Sequence, residues 1–261
     1  MIAFIGGGNM AEALIKGIAD SNGGIIVSEP REERRKFLEA TYGVTAVSSN
    51  CEAAEKGDII LLAVKPQNMA AVLDEITVAV GDKKTVVSIA AGITLSFLRS
   101  KLKVKNLIRV MPNSPSLALE GMSVLAYDTG MPQKIAVDVV KIFSAVGKVL
   151  VLPEEQINAV TAVSGSGPAF FALFAEEMIK SGEKMGLSKE DTALLAIQTM
   201  IGTAALLKAG ISPQDLRRAV TSPGGTTAAG IKVFEDKGLA ELVSEALEAA
   251  RNRAVELSSS S

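Results

Sequence analysis

The sequence has no histidine, no tryptophan and a single cysteine, Cys51, and aromatic residues make up only 4% of it. Without imidazole, neither a Ser-His-Asp nor a Cys-His nucleophile can be assembled, and a zinc site of His or several Cys is excluded within one chain. No metal is expected. An intrachain disulfide is excluded as well, which suits a reducing compartment. An excess of charge is also lacking: 27 Lys and Arg stand against 29 Asp and Glu, a net charge of −2. That balance gives no footprint for nucleic acid or an anionic membrane. Apolar residues, by contrast, are abundant. They make up 48% of 261, enough for a sizeable core and for one large or two ordinary domains.

Met1-Ile2-Ala3-Phe4-Ile5 is a short apolar run that meets glycines at once, with no basic leader or small-residue cleavage site. It reads as a first β-strand rather than a signal peptide. Two uncharged stretches are candidates for a membrane span. Gln156 to Ala175 is interrupted by Ser164-Gly165-Ser166-Gly167-Pro168. Thr192 to Leu207 makes a helix of roughly 24 Å, short of the ~30 Å hydrocarbon core. A helix apolar nearly all round must be buried on nearly all sides, so this one is expected to pack against a second subunit. The expectation is a soluble, cytoplasmic oligomer without membrane or nucleic-acid partners.

Up to about residue 150, strand-like and helix-like patterns alternate. Strands are expected at 2–5, 25–28, 58–64, 85–90, 106–110, 123–127 and 146–152, with helices near 9–20, 31–41, 67–79 and 132–145. Ile59 to Val64 is a continuous apolar run, as a central parallel strand covered on both faces requires. The alternation implies βαβ units and a doubly wound parallel sheet of the Rossmann type, an α/β fold. After Pro153 the strand signals stop. Helices are expected near 154–163, 168–185, 189–209, 213–220 and 225–256, separated by Gly, Pro and Ser. The domains are therefore 1–152, binding a dinucleotide, and 153–257, all-α, with 258–261 a polar tail. The first part carries 17 basic and 15 acidic residues and the rest 10 and 14, a mild bias toward an anionic ligand in the first.

Gly6-Gly7-Gly8-Asn9-Met10-Ala11 follows the first strand and opens a helix, fitting G-x-G-x-x-G/A with Ala11 in the close-packing position. The first glycine makes the tight turn, the second lets backbone approach a pyrophosphate, and the helix N-terminus stabilises its charge. The end of the second strand, Ser28-Glu29-Pro30-Arg31, points two ways. Ser28 and Arg31 suit the extra phosphate of NADP; Glu29 suits the ribose hydroxyls of NAD, or is a solvated acid at a helix start. The balance leans toward NADP. Ala63-Val64-Lys65-Pro66 leaves the most hydrophobic strand, where Lys65 either faces the ligand crevice or is a surface cation. Cys51 reads as a small buried hydrophobe. Farther on, Ser164 to Pro168 and Thr221 to Thr227 each set hydroxyls and free N–H groups at a helix start. That arrangement suits a small carboxylate, although a plain N-cap looks the same. Arg217 and Arg218 read as a solvated face.

Together these segments resemble the pyrroline-5-carboxylate reductases over essentially the whole chain. The resemblance rests on Phe4 to Ala11, Ala63 to Pro66, Ala90-Ala91-Gly92, Arg109-Val110-Met111-Pro112-Asn113, Ser164 to Pro168 and, most specifically, Val220 to Thr227 continuing to Leu257. It implies reduction of a cyclic imine, 1-pyrroline-5-carboxylate, to L-proline, the last step of proline biosynthesis, with NADP(H) preferred and NAD(H) accepted. By similarity, Gly6, Gly7, Gly8, Asn9, Met10, Ala11, Ser28, Asn50, Ala63, Val64, Lys65, Pro66, Ala90 and Ala91 line the cofactor. Ser222, Gly225, Thr226 and Thr227 hold the substrate, with the Thr227 hydroxyl near the ring nitrogen as the catalytic group. It also implies a homodimer through the helical domain and, in several members, a ring of five dimers, a decamer.

The missing histidine fits this chemistry, because a protonated imine accepts hydride without a strong acid to polarise it. An unassisted hydroxyl is a poor acid, so Thr227 is expected to hydrogen-bond or to act through water. One rival is a β-hydroxyacid dehydrogenase, which needs a lysine base four residues after a comparable glycine pair; Phe171 stands there. The other is a non-catalytic nucleotide-binding scaffold, against which the hydroxyls of Ser222, Thr226 and Thr227 argue.

Overall fold

The structure is a computed structural model that describes residues 1–19 and 24–259, and the chain divides into two compact units: 1–166 together with the chain end from Ala250, and Gly167–Ala249. The first unit holds one sheet of eight strands: β1 (Ile2–Ile5), β2 (Ile25–Ser28), β3 (Thr45–Val47), β4 (Ile59–Leu62), β5 (Thr85–Ser88), β6 (Asn106–Met111), β7 (Gly121–Tyr127) and β8 (Gly147–Val151). Their order is β3-β2-β1-β4-β5-β6-β7-β8. Every neighbouring pair is parallel except β6 and β7. The sheet is thus parallel-dominated rather than wholly parallel. Only residues 112–120 join β6 to β7, too few for the crossover a parallel pair needs.

Side chains leave each strand alternately to the two faces, and the central strands supply both cores. Phe4 and Leu61 enter one core, with Leu14 and Ile15 of α1 (Asn9–Ile18), Leu38 of α2 (Glu32–Tyr42) and Phe143 of α6 (Gln133–Ser144). Ala3, Ile5, Ile60 and Leu62 enter the other, with Ala53 and Ala54 of α3 (Asn50–Lys56), Met69 and Leu73 of α4 (Met69–Ile76), and Leu98 of α5 (Leu95–Lys101). This double coverage is why Ile59–Leu62 is apolar throughout; each fully buried Leu or Ile there contributes roughly 1.5–3 kcal/mol. Sequence reading missed β3, α3 and α5. They are three and seven residues long, and local caps rather than periodicity define the helices: the Ser49 and Thr94 side chains accept the Glu52 and Phe97 N–H groups.

Three expectations about the C-terminal part are corrected. Ser164 to Pro168 does not break the helix. A 3-10 turn (Glu154–Gln156) leads into α7 (Ile157–Val160), then a π-helical turn (Thr161–Gly165), then α8 (Gly167–Lys184). Pro168, the second residue of α8, has no N–H to offer the preceding turn, and the Ser164 carbonyl four residues back accepts Asn113 Nδ2 instead at 3.2 Å. The run Glu154–Lys184 is long and apolar enough to cross a membrane by length and composition. The helix expected at 225–256 is two, α11 (Thr226–Asp236) and α12 (Leu239–Ser259), parted at Gly238 with φ +71°. Ser258 and Ser259, expected in the polar tail, end α12, where Ser258 Oγ donates to Asn158 Oδ1 at 3.1 Å. Ser260, Ser261 and Asp20, the end of the expected first helix, lie outside the described residues.

The second unit also contains α9 (Lys189–Lys208) and α10 (Pro213–Ala219). Gly182 of α8 meets Thr192 of α9 closely enough that a β-carbon there would stand 2.3 Å from the Thr192 methyl. Of α9, only Thr192 and Ala196 are buried, while Leu194 is 68% exposed and Ile201 56%. Within a single chain, then, the all-round apolar helix lacks the cover its composition calls for.

Candidate functional site

The parallel register sets the last residues of four strands side by side. Ile5 pairs with Ser28 on one side and Leu62 on the other, and Leu62 pairs with Ser88. The segments singled out for the cofactor, 6–11, 28–31, 63–66 and 90–91, all leave this one edge. Its centre, between β1 and β4, is where the strand order reverses, the position at which open α/β sheets bind ligands.

At that edge Gly6 turns at φ +101° and donates its N–H to the Ser28 carbonyl at 2.8 Å. Gly8 is the N-cap of α1, and no side chain caps it. A β-carbon on Gly8 would meet nothing within 4 Å. The first-turn N–H groups of α1, with Asn9 and Met10 leading, therefore look onto open space at the positive end of the helix dipole. Ala11 is buried against the sheet. These residues fit a dinucleotide pyrophosphate, which would take its hydrogen bonds from that turn.

Around the loop, Ser28 Oγ donates to Asn50 Oδ1 at 2.5 Å, and Asn50 Nδ2 donates to Glu75 Oε2 at 2.7 Å. Ser28 and Asn50, far apart in sequence, are thus brought together. Ala63 ties the β4 exit to β1 through its N–H to the Ile5 carbonyl at 2.8 Å. Val64 is half-buried, while Lys65 and Pro66 are exposed at the start of a 3-10 turn (Pro66–Asn68). Ala90 is buried and Ala91 half-buried after β5. Cys51 is half-buried, and its thiol donates to the Glu75 carbonyl at 3.2 Å. Burial, with Glu75 and Glu55 nearby, pushes its pKa up, so it stays a thiol.

Glu29 is buried at 4% exposure rather than solvated. Burial pushes its carboxyl up, but hydrogen bonds from the Arg31 side chain and from the Arg31 and Gly7 N–H groups bring it below the ordinary carboxylate value. Sequence reading passed over Arg34, whose Nε donates to the Gly7 carbonyl at 2.7 Å and whose Nη2 donates to Glu12 at 2.5 Å. Glu12 also accepts from the Tyr42 hydroxyl at 2.8 Å. The available signal was spacing: Arg34 lies one turn before the buried Leu38 on α2, on the same helix face.

Asn113 and Ser164, in two of the segments that carried the resemblance, are also joined. Asn113 Nδ2 donates to both the carbonyl and the hydroxyl of Ser164 at 3.2 Å. Arg109, buried on β6, donates to Glu154 at 3.1 Å, and Glu154 accepts the Leu95 N–H at 2.8 Å.

In the second unit, Gly224 takes φ +71° and the Gly225 N–H donates to the Ser222 carbonyl at 3.0 Å, closing a turn before α11. Gly225 is the N-cap of α11, again with no side-chain cap. Ser222 and Thr226 are exposed and Thr227 is half-exposed. Three hydroxyls and the unbonded first-turn amides of α11 therefore lie together at this turn, a donor set suited to a carboxylate.

Comparison with known proteins decides the family. The chain is 42% identical to a pyrroline-5-carboxylate reductase of Pseudomonas aeruginosa over 98% of its own length and 96% of that protein's. The chain belongs to the pyrroline-5-carboxylate reductase family. The family model for pyrroline-5-carboxylate reductase dimerisation matches residues 154–257, and one described as NADP oxidoreductase, coenzyme F420-dependent, matches residues 1–92. Among solved structures, a pyrroline-5-carboxylate reductase from Coxiella burnetii superposes with a TM-score of 0.92 at 37% identity, covering 98% of each chain. A Plasmodium falciparum pyrroline carboxylate reductase with NADP bound gives 0.87 at 32% identity, covering 98% of this chain and 97% of that one. The family's dimerisation region thus spans the helices whose apolar residues are left uncovered in the single chain.

Proposed function

We propose that this chain reduces 1-pyrroline-5-carboxylate to L-proline, taking hydride from NADPH or, less readily, from NADH. The observation that carries this reading is the convergence of the glycine loop, Ser28 with Asn50, Ala63 to Pro66 and Ala90-Ala91 on one sheet edge, in a chain of this family. A bound nicotinamide supplies the hydride. The α1 amides hold its pyrophosphate, and Ser28 and Asn50 lie toward its ribose. Ser222, Gly225 and Thr226 hold the substrate carboxylate, and the Thr227 hydroxyl hydrogen-bonds the ring nitrogen. The substrate's C=N carries a proton already, so positioning and one hydrogen bond replace the general acid that a carbonyl would require. That is how a chain without histidine performs the reaction.

Residues 1–152 act as the nucleotide domain and 153–257 as the substrate and dimerisation domain. The working unit is a homodimer, with a ring of dimers, a decamer, as the larger assembly, soluble in the cytoplasm. The apolar run Glu154–Lys184 is accounted for by subunit contact rather than by lipid. The test is the loss of NADPH absorbance on adding 1-pyrroline-5-carboxylate, with proline identified as product. Tight NADPH binding without turnover on this imine would instead favour the non-catalytic scaffold.

A further inference from the structure

The acid that follows β2 decides less than its position suggests, because its hydrogen-bonding capacity is already taken up. Glu29 Oε2 accepts the Gly7 N–H at 3.2 Å and Arg31 Nη2 at 3.3 Å. Its Oε1 accepts the Arg31 N–H at 3.1 Å and Arg31 Nε at 2.8 Å. An ionised carboxylate has about four lone-pair positions, and four donors occupy them. No acceptor position is left for a pair of ribose hydroxyls. With Arg34 on the Gly7 carbonyl, the peptide unit on each side of Gly7 is held by a side chain from the β2–α2 region.

Three arginines stand at this edge, and two are committed inward. Arg34 is spent on Gly7 and Glu12, and Arg35 Nη1 donates to the Glu29 and Pro30 carbonyls at 2.8 and 2.7 Å. Arg31 is bonded through its side chain to Glu29 alone, and that side chain is 68% exposed. It is the cation of the three that faces solvent beside Ser28, where a nucleotide's adenosine ribose would lie.

We propose that Glu29 is a positioning residue, which fixes the glycine loop and aims Arg31, and that Arg31 selects the 2′-phosphorylated dinucleotide. This rests on the reading that the edge binds NADP(H). Charge-assisted contact with a phosphate is lost when the guanidinium is removed, whereas a loop anchor serves both dinucleotides alike.

The experiment measures dissociation constants of the full-length protein for NADPH and NADH by nicotinamide fluorescence, and for 2′,5′-ADP and 5′-AMP by calorimetry. The melting temperature of each variant is recorded without ligand. Arg31→Gln is expected to weaken NADPH and 2′,5′-ADP about tenfold while NADH and 5′-AMP change little. Glu29→Gln is expected to weaken NADPH and NADH by a common factor, raising both KM values while kcat holds, with Glu29→Asp recovering part of the loss. A selective loss of NADH in Glu29→Gln would make Glu29 a ribose acceptor and overturn the proposal. So would an unchanged NADPH-to-NADH ratio in Arg31→Gln, or a Glu29→Gln variant that binds both as wild type does. If Glu29→Gln does not fold, Arg31→Gln alone decides, since its exposed side chain is not needed for the core. Turnover of the imine is scored separately. A wild type that shows this binding pattern but no turnover refutes the reaction and leaves the inference standing; turnover with a changed pattern does the reverse.

Discussion

A β-carbon on Gly6 would stand 2.8 Å from the Ala63 carbonyl oxygen, so the turn after β1 is pressed against the exit of β4. Two residues on, Gly8 faces open space. The two glycines therefore differ: Gly6 is required by the fold, whereas Gly8 leaves open the space proposed for the dinucleotide. Gly6→Ala, at φ +101°, is expected to lose about 1–3 kcal/mol of stability. Gly8→Ala sits at φ −72° and ψ −175°, which alanine adopts without strain, and as an N-cap change should cost no more than about 1 kcal/mol. Yet its methyl group fills the cradle, so dinucleotide affinity should fall at least tenfold. Urea melts paired with NADPH titrations separate the two effects.

Acid stability should follow the carboxylates around the loop. Glu29 and Glu12 are both held below their ordinary value of 4.5. For Glu12, burial pushes upward, and hydrogen bonds from Arg34 and Tyr42 with the Arg34 charge outweigh it. A carboxyl depressed in the folded state stabilises it above the unfolded pKa and loses that contribution as pH falls through the folded value. Stability of the wild type should thus decline from about pH 5 downward, and Glu29→Gln should decline less steeply over the same range while being less stable at pH 7. Chemical denaturation across pH 3–7 measures both slopes; parallel curves would contradict the assignment.

Association should depend on α9. Leu194 is 68% exposed and Leu195 56%, so charge placed there costs the single chain little. Leu194→Glu is expected to shift the protein from dimer toward monomer, seen by size-exclusion chromatography with light scattering. Its melting temperature should then depend less on protein concentration.

Thr227 carries the sharpest prediction about the substrate. Thr227→Val keeps the shape of the side chain but removes its hydroxyl, and should lower kcat/KM about 10–100-fold, the worth of one hydrogen bond to a charged group. Thr227→Ser should retain most activity. Wild-type kcat/KM in Thr227→Val would remove the residue from the site.

Much of the α/β unit is readable because period and burial agree there. Ile59 to Leu62 is apolar at every position since the two cores claim alternate residues, and Gly6 to Ala11 lies between a strand and a helix. Short elements escaped because three to seven residues carry no period, as at β3 and α3. The reversal of β7 depends on loop length rather than on the strand's own residues. At the site, Ser28 was read from its place at the end of β2 and Asn50 through resemblance, and their hydrogen bond only through structure. Glu29 was left ambiguous because sequence gives an acid's position but not the direction of its carboxylate. Arg34 was overlooked because an arginine that bonds a backbone carbonyl looks, in sequence, like any solvated helix cation. The helical unit gave the opposite difficulty: α9 is apolar all round for a partner that one chain cannot show.

The chemistry at issue is hydride transfer to a cyclic imine without imidazole. It is tested most directly by incubating the protein with 1-pyrroline-5-carboxylate and NADPH deuterated at the transferring position of the nicotinamide, then analysing the product by mass spectrometry and NMR. The expected product is L-proline carrying deuterium at the carbon that was doubly bonded to nitrogen. Proline without deuterium at that carbon, or none formed while the NADPH stays bound and intact, would contradict it.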